Sequence, residues 1–86
     1  GYGLSSVYPN PFNPSTTIEF YAENASNLNA AIYDLSGRLI ETLMNESINS
    51  GSHSVVWDAS NHSSGIYIVK ILMNQISDSY FIHLIK

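Results

Sequence analysis

Leu28-Asn29-Ala30-Ala31-Ile32-Tyr33-Asp34-Leu35-Ser36-Gly37-Arg38 is the stretch whose pattern decides the fold. Alternate side chains of a strand point to opposite faces, so Leu28, Ala30 and Ile32 fall on one apolar face. Leu35-Ser36-Gly37-Arg38 then has turn composition, and the chain returns through Leu39 to Met44, which reads as a β-hairpin. Gly37 is the residue expected to take the positive φ that a short hairpin loop demands, because it has no Cβ to clash.

The same period of two recurs on both sides of this hairpin. Upstream, Leu4 to Tyr8 runs into Pro9, Pro11 and Pro14, which lack a backbone donor, so this opening segment belongs at a sheet edge or in a crossing loop. Thr17 to Tyr21 places Ile18 and Phe20 on one face, with Thr17, Glu19 and Tyr21 on the other. Downstream, Asn45 to Ser50 reads as a polar loop. Gly51 then opens a strand in which His53, Val55 and Trp57 face the core, opposite Ser52, Ser54 and Val56. After a loop from Asp58 to Ser64, Gly65 to Met73 alternates Tyr67, Val69 and Ile71 with Ile68 and Lys70. Ser77 to Lys86 makes a last strand, apolar on both faces. No stretch keeps a helical period. Seven short strands separated by turn signals predict an all-β, immunoglobulin-like β-sandwich of antiparallel strands in two sheets, with an incomplete barrel as the alternative.

With 86 residues the chain has room for one core, so residues 1–86 are read as a single domain. Its composition, 44% hydrophobic and 12% charged, is that of a chain that folds. There is no cysteine, which removes disulfides, thiolate catalysis and thiolate metal sites. Three basic residues, Arg38, Lys70 and Lys86, stand against seven acidic ones, for a formal charge of −4. No basic stripe can form, so nucleic acid is not an expected partner. No apolar run approaches the roughly 20 residues that span a bilayer. The start at Gly1, without a signal-peptide pattern, reads as a piece of a longer protein whose export signal and activity lie upstream.

Reactive chemistry finds little to build on. The chain has no Gly-x-Ser-x-Gly elbow. Asp34, Asp58 and Asp78 each read as turn residues bonding their own backbone. His53, His62 and His83 lack paired ligand spacing, and calcium at Asp34 or Asp58 lacks a dense Asp loop. The expectation is no catalysis, no metal, no cofactor and no small-molecule substrate. Asn24-Ala25-Ser26, Asn45-Glu46-Ser47 and Asn61-His62-Ser63 match the glycosylation acceptor pattern and are read as loop composition.

A more specific signal lies in four motifs taken together. Tyr8-Pro9-Asn10-Pro11-Phe12-Asn13-Pro14-Ser15-Thr16-Thr17-Ile18 resembles the opening of the C-terminal sorting domains of the type IX secretion system. In order after it, Tyr33-Asp34-Leu35-Ser36-Gly37-Arg38 is similar to that family's YDxxGR hairpin and Gly51 to Trp57-Asp58 to its G-x-H-x-x-x-W-D strand. Ser64-Gly65-Ile66-Tyr67 is similar to its SGxY segment. Lys86 follows at the end of the final strand. The resemblance implies a non-catalytic C-terminal signal that carries a covalently linked upstream cargo through the periplasm to the cell surface or beyond. It implies as partners an outer-membrane translocon that reads the domain and a sorting peptidase that cuts before it. Members often carry several Lys residues in the last strand, where this chain has the uncharged Ser79-Tyr80-Phe81-Ile82-His83.

The opening and hairpin motifs also resemble the Ig-like domain of the flagellar hook-capping protein, a structural assembly module. That family typically has a longer Gly-rich loop after its Trp-Asp pair, whereas seven residues separate Trp57 from Gly65 here, which favours the sorting domain. A third reading, carbohydrate binding, would use exposed tyrosines such as Tyr2, Tyr21 and Tyr33.

Overall fold

In the computed structural model, which describes residues 4–86, alternation of apolar side chains generates seven strands. They are β1 (Leu4–Tyr8), β2 (Ser15–Ala22), β3 (Ser26–Asp34), β4 (Leu39–Ile48), β5 (Gly51–Asp58), β6 (Gly65–Met73) and β7 (Ile76–Leu84). They form two sheets, one ordered β1-β2-β5 and the other β4-β3-β6-β7, with every ladder antiparallel. This is the immunoglobulin-like sandwich that the periodicity predicts, and the two separate sheets dispose of the barrel.

The inner faces supply the core. Ile18, Phe20 and Ala22 of β2 and Trp57 of β5 meet Leu28, Ala30 and Ile32 of β3, Tyr67, Val69, Ile71 and Met73 of β6, and Ile82 and Leu84 of β7. Trp57 is fully buried, and each large core side chain of this kind contributes about 1.5–3 kcal/mol on leaving water. No described buried side-chain nitrogen or oxygen lacks a hydrogen-bond partner, so the core carries no unpaired polar group to offset that gain.

Several boundaries differ from the sequence reading: β2 runs Ser15–Ala22 rather than Thr17 to Tyr21, β3 starts at Ser26 rather than Leu28, β5 takes in Asp58, and β7 runs Ile76–Leu84 rather than Ser77 to Lys86. The segment read as a loop from Asn45 begins as strand: β4 continues to Ile48, whose side chain is buried. Asn45, Glu46 and Ser47 pair with Asn29, Leu28 and Asn27, and an edge strand can hold such polar residues because its ladder is made by the backbone. Asp78 is not at a turn. It lies inside β7 opposite Ile71.

All seven strands run between the same two ends of the sandwich. One end gathers the β1–β2 segment 9–14, the β3–β4 turn 35–38, the β5–β6 loop 59–64 and the last residues 85–86. The other end holds the short connections 23–25, 49–50 and 74–75.

Candidate functional site

The first end is where the sequence motifs meet. The proline-bearing segment cannot continue the β1 ladder, because Pro9, Pro11 and Pro14 have no N–H to donate. It crosses to the second sheet, where Phe12 makes an isolated parallel bridge with Leu84. The Phe12 amide donates to the His83 carbonyl at 2.9 Å, and the Ile85 amide donates to the Phe12 carbonyl at 2.9 Å. Asn10 adds a side-chain clasp: its Nδ2 donates to the Phe81 carbonyl at 3.2 Å, while its Oδ1 accepts from the His83 amide at 2.9 Å. Together these bonds cover the C-terminal half of the β7 edge, which would otherwise present unpaired donors and acceptors.

Behind the clasp lies an aromatic cluster. The Phe12 and Trp57 ring centroids are 5.7 Å apart, and Tyr67 meets Trp57 edge-on at 5.2 Å, a geometry favoured by ring quadrupoles. His62 tilts over Trp57 at 5.5 Å. The buried indole finds its partner across the sandwich, where Nε1 donates to Glu41 Oε1 of β4 at 3.0 Å, and His62 Nε2 stands 3.8 Å from the same oxygen. Tyr67 Oη donates to the Ser63 carbonyl at 2.6 Å, the Ala59 amide to the Pro14 carbonyl at 2.9 Å, and Lys86 Nζ to the Ser60 carbonyl at 2.8 Å. The loop 59–64 is thereby tied to β6, to the proline segment and to the last residue.

The two aspartates of the motifs organise turns. Asp34 Oδ1 accepts from the Ser36 amide, the Ser36 hydroxyl and the Arg38 amide, and Oδ2 lies 3.2 Å from Arg38 Nε. The Ser36 hydroxyl above all, then the Arg38 amide, holds the Asp34 carboxyl below its ordinary pKa. Asp58 Oδ1 accepts from the Ser60 amide, which lowers its pKa in the same way. Gly37 has φ 88°, the conformation expected of it. No atom lies within 4 Å of where a Cβ would stand, so its requirement is torsional rather than spatial. Among the described residues no group of three His, Cys, Asp or Glu side chains could hold a metal ion.

The model of the secretion-system C-terminal sorting domain family matches residues 6–84. The chain belongs to that family. Such domains are C-terminal signals of type IX secretion, whose substrates reach the cell surface or the extracellular space. Among solved structures, PorZ, described as an essential bacterial surface component of the type IX secretion system of Porphyromonas gingivalis, is similar over the full length of this chain, with 26% identity and a TM-score of 0.66. This chain spans 12% of the length of that PorZ chain. No curated protein matches the sequence.

Within the sorting domain, the motif residues are spread over this one end with a single exception. Phe12, Trp57 and Tyr67 are buried, and Gly65 opens β6 beside them. Tyr8 is exposed and donates to Glu19 Oε2 at 3.1 Å, and the Pro9 carbonyl accepts from Thr16 Oγ1 at 2.9 Å. Pro11 and Asn13 are exposed bends of the crossing. Tyr33 lies on the outer face of β3, one residue before the Asp34 turn. Gly51 is the exception, since it opens β5 opposite Ala22 at the far end. Of the tyrosines read as a carbohydrate platform, Tyr2 lies outside the described residues, and Tyr21 and Tyr33 project from the outer faces of different sheets. Glu41, His62 and Ala59 join the site although the sequence reading gives them no role in it, and Thr16, part of the opening motif, joins through its bond to the Pro9 carbonyl. Only Glu41 leaves a trace in sequence, as an acidic residue in an otherwise apolar returning strand, and nothing there points to Trp57.

Proposed function

We propose that residues 1–86 are a single, non-catalytic sorting domain attached to an upstream cargo, and that the end of the sandwich carrying Asn10, Phe12, Trp57, Asp58, Gly65, Tyr67 and Lys86 holds the final strand in the form that the export machinery reads. One observation carries this reading: the opening motif, about 70 residues away in sequence, bonds to the end of β7 through Asn10 and Phe12, and Lys86 bonds to the loop that follows Trp57-Asp58. The partners follow from the family: an outer-membrane translocon that recognises the folded domain, and a sorting peptidase that cuts between cargo and domain. Tyr8, Pro9, Pro11, Asn13, Pro14, Tyr33, Asp34, Gly37, Arg38 and Gly51 serve the same end by shaping the loops and strands.

A reporter fused ahead of residues 1–86 in a bacterium with a working type IX system tests the reading. The expected result is reporter at the surface or in the medium. Retention in the periplasm, in cells where an established sorting domain exports the same reporter, contradicts it. The similarity to PorZ favours a second reading, in which the domain is a structural Ig-like assembly module of a surface protein, the role that the hook-cap resemblance also suggests. Under that reading the fused reporter stays inside while the full-length parent protein takes its place at the surface.

A further inference from the structure

Three rows of outward side chains cross all four strands of the β4-β3-β6-β7 sheet, with the pair Asn27 and Ser47 beyond them at the far end and the pair Ile66 and His83 beyond them at the motif end. At the far end the row is Asn45, Asn29, Leu72 and Ser77; in the middle it is Thr42, Ala31, Lys70 and Ser79; nearest the motif end it is Leu39, Tyr33, Ile68 and Phe81. Polarity therefore changes along the strands, from amides and hydroxyls to a row that is apolar across all four strands. With neighbouring strands about 4.8 Å apart, that row runs roughly 15 Å. Its ends are open, with Phe81 68% exposed and Leu39 52%, and Tyr33 and Ile68 between them are half-buried. A contiguous apolar patch in water is an unusual feature of a small domain and marks a surface that another molecule covers.

Charge supplies the second half of the argument. None of the twelve positions in these rows is acidic, because Glu41, Glu46 and Asp78 share rows with Ile32, Leu28 and Ile71 on the inner face. Yet two of the three cations of a chain with formal charge −4 are here. Lys70 stands in the middle row with its Nζ 5.8 Å from the centre of the Tyr33 ring, while Arg38, beside Leu39 and 78% exposed, is paired with Asp34 at 3.2 Å, so Lys70 is the cation that the face offers to a partner. Between them, Tyr33, Gly37, Ile68, Lys70 and Ser79 line an open groove of ≈ 240 Å³.

We infer that this face is a docking surface for a partner polypeptide segment that presents a carboxylate flanked by apolar side chains. The carboxylate pairs with Lys70 over the groove, and the apolar side chains cover the Leu39–Tyr33–Ile68–Phe81 row. A segment of this kind is attracted to this face and repelled by the remainder of the acidic surface, which selects both partner and orientation. A second copy of the chain is disfavoured by like net charge. A bilayer is disfavoured because two cations supply only about 2 kcal/mol at an anionic surface. The inference is independent of export, since it concerns binding by the isolated domain.

Selection of a random-peptide library on residues 1–86, followed by titration of the recovered peptides, tests it. The expected peptides carry Asp or Glu beside Phe, Leu, Ile or Tyr. Their amide-shift footprint falls on Tyr33, Ile68, Lys70 and Phe81, and Lys70→Glu and Phe81→Ser each weaken them by about tenfold or more, with Lys70→Arg restoring binding. Both side chains are exposed, so an unchanged circular-dichroism spectrum confirms that the variants fold, and Val56→Ser on the opposite outer face leaves binding unchanged. Recovery of no peptide or of basic peptides, a footprint elsewhere, or indifference to Lys70→Glu overturns the proposal. So does concentration-dependent dimerisation abolished by Phe81→Ser, which assigns the face to a second copy, or equal loss of binding to anionic phospholipid vesicles, which assigns it to a membrane.

Discussion

The two ends of the sandwich solve the same problem, reversing the chain between strands, in different ways. At the far end the connections 23–25, 49–50 and 74–75 are short, and their bonds run within a connection or between adjacent strand ends: Ser26 Oγ donates to the Asn24 carbonyl, Ser47 Oγ to Asn27 Oδ1, and the Asn27 amide to Asn74 Oδ1. The motif end uses longer segments that reach across the molecule, from Asn10 to Phe81 and His83, from Lys86 to Ser60 and from Trp57 to Glu41. Chain reversal requires none of these long ties. The ties from Asn10, with the Phe12 bonds, leave the C-terminal strand with its final residues held on both sides, by β6 through its ladder and by the proline segment.

The difference can be broken hardest at Trp57. Trp57→Ala removes the side chain on which Phe12, His62 and Tyr67 lean, and is expected to cost about 3–5 kcal/mol, enough to unfold most of a domain this small in a urea titration. Trp57→Phe separates packing from bonding, since it keeps a ring and loses the bond to Glu41. A loss of about 1–2 kcal/mol is expected, and Glu41→Gln should recover little of it. Gly37→Val forces a β-branched residue to φ 88°, with an expected loss of roughly 1–3 kcal/mol that is torsional, because the position is open. Asn10→Ala sharpens the comparison at smaller cost: about 1 kcal/mol, with faster hydrogen exchange at the His83 amide while amides at residues 23–25 are unchanged.

The smallest effect is electrostatic. Asp34 and Asp58 have folded pKa values below their unfolded ones, so their contribution is fully present above the ordinary Asp value of about 3.9 and is lost as pH falls through the lower folded values. Thermal stability should therefore decline on acidification below about pH 4, and Asp34→Asn together with Asp58→Asn should flatten that decline.

The sandwich is legible in the sequence because alternation is a local signal. β6 begins at Gly65 and ends at Met73 as the pattern predicts, and β5 begins at Gly51 as predicted and runs one residue into the expected loop, to Asp58, since each starts at a glycine and alternates strictly. The end of β4 is hidden because Asn45, Glu46 and Ser47 look like loop, while an edge ladder is indifferent to side-chain polarity. The aspartate turns at 34 and 58 are legible for the same local reason. The clasp is not, because Asn10 and Phe81 are 71 residues apart and an Asn between prolines reads equally well as plain turn chemistry. Pairing of Trp57 with Glu41 is hidden likewise, as sandwich packing decides which strand of the opposite sheet faces the indole.

Two variants, one at each end, test the central claim most directly. Asn10→Ala loses the clasp on β7, and Asn74→Ala loses the bond to the Asn27 amide and places Ala at φ 55°. Asn10→Ala is expected to lower stability by about 1 kcal/mol and Asn74→Ala by about 1–3 kcal/mol, so the control is at least as destabilised, and export of a fused reporter through a type IX system is then compared. Weakened export of the Asn10→Ala fusion, with the Asn74→Ala fusion exported normally, is the predicted result. Equal export of the two would contradict the assignment of the motif end to signal presentation.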